Sequence, residues 1–135
     1  MQWLIDILAA KVIAEIGIPP VYVERYPSPV GDFDQNDFTL DGNYHTLDLS
    51  AIVPAGVSAI NLSVKVRTDI AASYVRFRHP DDGRVTGRCI LRTQVAGMDF
   101  RMVWCQGCDV NRHVEYSFNN VVWDSVAFVV RGWWL

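Results

Sequence analysis

The chain has 135 residues, half of them hydrophobic and a fifth charged, which suits one folded domain with an extension and excludes a disordered chain. Its formal net charge of -3 gives no electrostatic case for nucleic acid; Arg76, Arg78, Arg84, Arg88 and Arg92 are close in sequence, but acidic residues flank them and no basic stripe interleaved with aromatics forms. Three cysteines, Cys89, Cys105 and Cys108, are an odd count that argues against a closed disulfide scaffold and fits a reducing compartment, or a virion assembled in one.

Residues 1–17 are predicted to form an N-terminal helix. Trp3, Leu4, Ile5, Ile7, Leu8, Val12, Ile13 and Ile16 supply it, and Gly17 with Pro19-Pro20 stops it. Gln2 and Asp6 lie roughly opposite Lys11 and Glu15 on a helical wheel, so apolar side chains fill two faces and the helix needs burial, against a partner or against its own domain. It is too short and too charged to span a bilayer, and no signal-peptide pattern is present, so no membrane partner is expected.

Residues 18–41 read as an extended, proline-rich arm, because Pro19, Pro20, Pro27 and Pro29 fix φ and remove donors. Tyr22, Tyr26, Phe33 and Phe38 give it points of adhesion, and Trp3, Leu4, Ile7, Leu8, Tyr22 and Tyr26 are the expected docking residues. The run from Asp32 to Asp37 resembles the opening of a calcium loop but lacks the glycine and bidentate glutamate such a loop needs.

Residues 42–135 are predicted to be a succession of short strands. In the clearest, residues 59–68, Ile60, Leu62, Val64 and Val66 alternate with Asn61, Ser63, Lys65 and Arg67, the period of a strand with one wet face. Further strands are expected before Pro54, at Tyr74 to Arg78, and near residues 85–95, 100–105, 114–118 and 125–133, with turns at His79 to Gly83, Asp109 to Arg112 and Asn119-Asn120. Seven or eight strands at this spacing, with no helical pattern between them, indicate an all-β fold: an antiparallel β-sandwich or jelly roll.

The last strand is apolar on both faces and ends in Trp133-Trp134-Leu135. It is therefore either central and covered or placed at a subunit contact. The sequence favours the contact, with Val129, Arg131, Trp133, Trp134 and Leu135 as the expected oligomer interface.

Chemistry is harder to find. Cys105-Gln106-Gly107-Cys108 with His113 offers at most one closed pair of zinc ligands, and a redox CxxC needs a helix start beside a βαβ pattern. His45, His79 and His113 have no recognisable nucleophile beside them in sequence, and no phosphate-binding glycine loop is present. No enzyme, catalytic residue, metal or cofactor is expected. Trp104, Tyr116, Trp123, Trp133 and Trp134 form either core and interface rows or a platform for a sugar; Trp123, in the loop after Asn119-Asn120, is the expected ligand-facing residue.

The stretch from Asp41 to Gly56, DGNYHTLDLSAIVPAG, then Leu91-Arg92-Thr93-Gln94-Val95, Cys108-Asp109-Val110-Asn111-Arg112 with Tyr116, and the closing Val130-Arg131-Gly132-Trp133-Trp134 resemble, in that order, a virion-associated β-sandwich domain recurrent in phage and prophage sequences. The resemblance covers residues 41–135, and Cys105 departs from its pattern. It implies a virion location and a structural protein, a capsid decoration, head-fibre or tail-associated component. By analogy with such proteins, it is expected to assemble as a homotrimer and to dock by its N-terminal arm onto capsid or tail. The alternative is a receptor- or glycan-binding module at a fibre tip.

Overall fold

A computed structural model describes residues 21–25, 31–83 and 89–135. Nine strands occur among them: β1 (Tyr22–Glu24), β2 (Phe33–Asp34), β3 (His45–Asp48), β4 (Ala59–Arg67), β5 (Tyr74–Arg78), β6 (Cys89–Arg92), β7 (Phe100–Gly107), β8 (His113–Phe118) and β9 (Ser125–Trp134), with one turn of 3₁₀ helix at Gln35–Asp37. They form two antiparallel sheets. The first runs β1-β9-β4-β7, with β2 also paired to β9; the second runs β3-β8-β5-β6. The fold is all-β, as the alternating pattern requires. The expected N-terminal helix and the docking residues Trp3, Leu4, Ile7, Leu8 and Tyr26 lie outside the described residues.

The core lies between the sheets. Ile60, Leu62, Val64 and Val66 of β4 are fully buried on the inner face, beside Val126, Phe128 and Val130 of β9. Val75, Phe77, Val114 and Phe118 line the second sheet's inner face. The Phe77 ring stands 4.8 Å from Trp104 and 5.7 Å from Phe128, joining the layers. Phe38, from the segment read as an arm, is buried in the same core, 4.8 Å from Tyr116, 5.1 Å from Phe118 and 6.1 Å from Phe128. The backbone N–H of Thr39 donates to Tyr116 Oη at 2.9 Å and fixes that insertion. Burying one phenylalanine contributes about 1.5–3 kcal/mol, and each ring pair about 0.5–1.5 kcal/mol more.

β9 is an interior strand, with β4 on one side and β1 and β2 on the other. The chain's own arm pairs with its second edge, which makes β9 central in its sheet, and its outward residues Ala127 and Val129 stay half-buried. Tyr22, Val23 and Glu24 pair with Trp134, Trp133 and Gly132, and Phe33 and Asp34 pair with Phe128 and Ala127. Tyr22, expected to dock on a partner, is therefore engaged by its own sheet. A Cβ at Gly132 would collide with Tyr22 Oη and the carbonyl of Val23, so only glycine lets β1 lie this close.

Between the positions of β9 paired with β1 and with β2, two side chains bond its backbone. Asp32 Oδ2 accepts from the N–H of Val130 at 2.8 Å, while Arg25 Nη1 donates to the Val130 carbonyl at 3.2 Å. The same Nη1 bonds both Asp32 oxygens, at 2.8 and 2.7 Å. A β-bulge opposite Asn61 and Leu62 leaves Arg131 outside the β4 register, and its carbonyl accepts from the N–H of Arg25 at 3.0 Å. Asp32→Ala removes the acceptor for Val130 and the partner of Arg25 together; the expected cost is about 2–4 kcal/mol, read as a lower urea midpoint. An unchanged midpoint contradicts this account of the clasp.

Candidate functional site

The described surface offers two sheet faces and two ends, of which the loop-bearing end formed by the loops after β4, β6 and β8 is the more apolar. On the first sheet, residues pointing away from the core follow from register. Val129, Ser63 and Val103 form one row across β9, β4 and β7, and Ala127, Lys65 and Arg101 form the next. Val103 is 51% exposed, and Ser63 is covered by its neighbours. Outer faces of antiparallel sheets are usually polar, so a centre of valine, serine and valine is a surface suited to contact. Cys105 lies exposed on the same face.

The second sheet's outer face is built from arginine on tyrosine. The Arg78 guanidinium sits 3.6 Å from the centre of the Tyr44 ring, and its Nε donates to Glu115 Oε1 at 3.0 Å. Arg76 and Arg92 lie 4.1 and 5.6 Å from the centre of the Tyr74 ring. Each such stack contributes about 0.5–1 kcal/mol at an exposed site. Burial raises the Tyr44 phenol above its ordinary value, against the pull of the Arg78 charge.

Each histidine has an aspartate close by. His45 Nε2 is 2.8 Å from Asp41 Oδ1, and that bond lowers the Asp41 carboxyl. His113 stands between Asp48 and Asp109, 3.6 Å from each. His79 Nδ1 accepts from the Asp81 N–H at 3.0 Å, beside an open hollow of about 540 Å³ lined also by Asp82, Gln106 and Gly107. Among the described residues, no group of three or more His, Cys, Asp or Glu is arranged to hold a metal ion. The calcium-like run is spent otherwise: Asp32 serves the clasp, Asp34 accepts from the Asn36 N–H, and Asp37 accepts from the Asp34 N–H.

The residues expected at the oligomer interface separate. Val129 is on the outer face, and Trp133 turns inward and packs against the core. Trp134 lies with its ring 4.8 Å from Tyr22. Leu135 is exposed, its N–H donating to the Val21 carbonyl at 2.9 Å, and Arg131 occupies the bulge. Trp123, expected to face a ligand, is buried: its ring abuts Phe118 at 5.4 Å and its indole N–H donates to the Asn120 carbonyl at 2.7 Å. An apolar side chain in a loop reads as exposed in sequence, but here the loop folds back over the core. Trp104 and Tyr116 likewise serve the interior, so the proposed aromatic platform is not assembled.

The loop-bearing end was missed. Thr68, Ser73 and Thr93 are buried polar residues whose hydrogen bonds join the loops after β4, β6 and β8. Thr68 Oγ1 donates to the Val122 carbonyl at 2.7 Å, the Ser73 N–H to Thr93 Oγ1 at 3.0 Å, and the Gly97 N–H to the Thr68 carbonyl at 2.9 Å. Asn120 Nδ2 reaches Thr68 Oγ1, Ser73 Oγ and the Val122 carbonyl. The exposed valines of these loops were the available signal, hidden because the loops are far apart in sequence.

The cysteines differ in access. Burial pushes the Cys89 thiol up to about 11 and also raises that of Cys108, whereas Cys105 is exposed. Native chain at pH 8 should take up one equivalent of a maleimide quickly, at Cys105, and two more only on unfolding. The raised Cys89 value gives stability that is complete below pH 9 and is lost as pH rises through about 11; a flat urea midpoint between pH 8.5 and 11 would contradict it.

No family model, curated protein or solved structure matches the chain in the comparisons made.

Proposed function

We propose that this chain is a structural protein of a phage virion: a jelly-roll module that assembles with copies of itself, as a homotrimer, and attaches to capsid or tail through residues preceding β1. The strand order is the observation behind this reading. Counting β1 and β2 as two halves of one first strand, the sheets run first-eighth-third-sixth and second-seventh-fourth-fifth. That order is what two Greek keys wound together produce, an architecture common in viral capsid domains. Fold does not dictate function; the resemblance of residues 41–135 to a virion-associated domain and the apolar row Val129–Ser63–Val103 support the same conclusion.

The alternative, a receptor- or glycan-binding module, loses its main residue with the burial of Trp123 and rests on Trp134 and Tyr22, which stack at the outer edge of the first sheet. Light scattering of the full chain separates the two. The structural reading expects three times 15.3 kDa at micromolar concentration; a monomer at all concentrations overturns it and favours the binding module.

A further inference from the structure

Of the ten large hydrophobic residues exposed among the described residues, five share the loop-bearing end: Ile70, Val95, Met98, Val121 and Val122, between 48% and 68% exposed. They are spread over three loops separated in sequence, yet the buried hydrogen bonds of Thr68, Ser73, Thr93 and Asn120 lock those loops together. Thr93 Oγ1 and Ser73 Oγ both also donate to the Ile70 carbonyl, at 3.2 and 2.8 Å. Ala72 is held at a φ of 61°, a conformation a non-glycine residue adopts only when its surroundings impose it. The patch is therefore preorganised, and docking on it would cost little loop entropy. Its rim is acidic: Asp69, Asp99 and Asp124 are all exposed.

On its β4–β7 side, the outer face of the first sheet has the opposite charge. Beside Val129, Ser63 and Val103 stand Lys65, Arg67 and Arg101, which alternate with inward-facing residues of β4 and β7, while the acids Glu24 and Asp34 are confined to the arm edge of the face. Lys65 Nζ already lies 4.0 Å from Asp99 Oδ2 of its own chain, an instance of the same attraction. Two copies meeting face to face would set cations against cations, and two meeting end to end would set carboxylates against carboxylates. Only the unlike pair brings apolar centre to apolar centre with opposite charges around it.

We propose that the loop-bearing end of one copy docks on the outer face of the first sheet of the next copy. Such a contact is heterologous, the kind a cyclic trimer requires, and it repeats until the ring closes. The inference rests on the assembly reading above and assigns its interface.

The test uses full-length chains, with light scattering for mass and circular dichroism to confirm folding. An end variant carries Val121→Asp and Val122→Asp; a face variant carries Val103→Asp and Val129→Asp. As a check against misfolding, Arg101→Glu and Asp124→Arg are made singly and together. Wild type should be oligomeric and each double variant monomeric. An equimolar mixture of the two should give a dimer and nothing larger, because one intact end and one intact face remain to join. The single charge reversals should weaken association at least tenfold, and the combined reversal should recover part of it. A monomeric wild type overturns both the assembly reading and this contact. An oligomer that survives the end variant, or a mixture that stays monomeric, overturns this contact alone and leaves assembly to another surface.

Discussion

A ten-residue strand with apolar side chains on both faces is a template for unwanted pairing unless both of its edges are hydrogen-bonded. β9 meets that condition with β4 on one side and, on the other, two fragments of three and two residues supplied by the N-terminal arm. They pair with Gly132–Trp134 and with Ala127–Phe128, and Val130 lies in the interval. Arg25 and Asp32 fill the interval by giving Val130 the acceptor and donor that a continuous strand would have given. Because Asp32 is only 7% exposed, the pair works at reduced dielectric, and either partner left alone would be a buried charge. The placement of Trp133, Trp134 and the core end of Phe38 depends on this closure, since each sits on or beside a residue the arm holds.

How much of this was readable depended on length and period. β4 announces itself because nine residues alternate without interruption, and the alternation of β5 and of the inner residues of β9 is equally clear. β1 and β2 give no period at two or three residues, and the neighbouring prolines point toward irregular backbone. Their pairing is set by tertiary contact, which a local pattern does not report. The two-faced apolarity of β9 is plain in the sequence, but the pairing of its second edge by the arm is not. The same limit applies to Trp123: whether a loop aromatic faces water is decided by Asn120 and Phe118, one a neighbour in sequence and one across the core surface. The turns at Asp109 to Arg112 and at Asn119-Asn120 were legible because aspartate and asparagine bond their own backbone.

The two outer sheet faces follow different chemistry although they belong to sheets of similar size. On the second, arginines cover tyrosines and Arg78 is paired with Glu115. On the first, the side chains are short and the cations stand around them rather than over them. A face of the first kind tolerates water; a face of the second kind gains most from being covered, because its apolar centre has no long side chain to shield it.

The end loops add the complementary half of that argument. Exposed valines on mobile loops would collapse onto one another or onto the core at little cost, and would show no fixed surface. Here that collapse is prevented by buried threonine and serine hydroxyls and by Asn120, whose bonds are made inside the loop cluster and so hold the apolar side chains outward. Buried polar networks cost stability unless every member is satisfied, and a network of this kind, spent on keeping hydrophobic side chains in water, has a physical purpose only when something covers them. Among the described surfaces, the apolar row Val129–Ser63–Val103, with Lys65, Arg67 and Arg101 beside it, is the cover proposed for them.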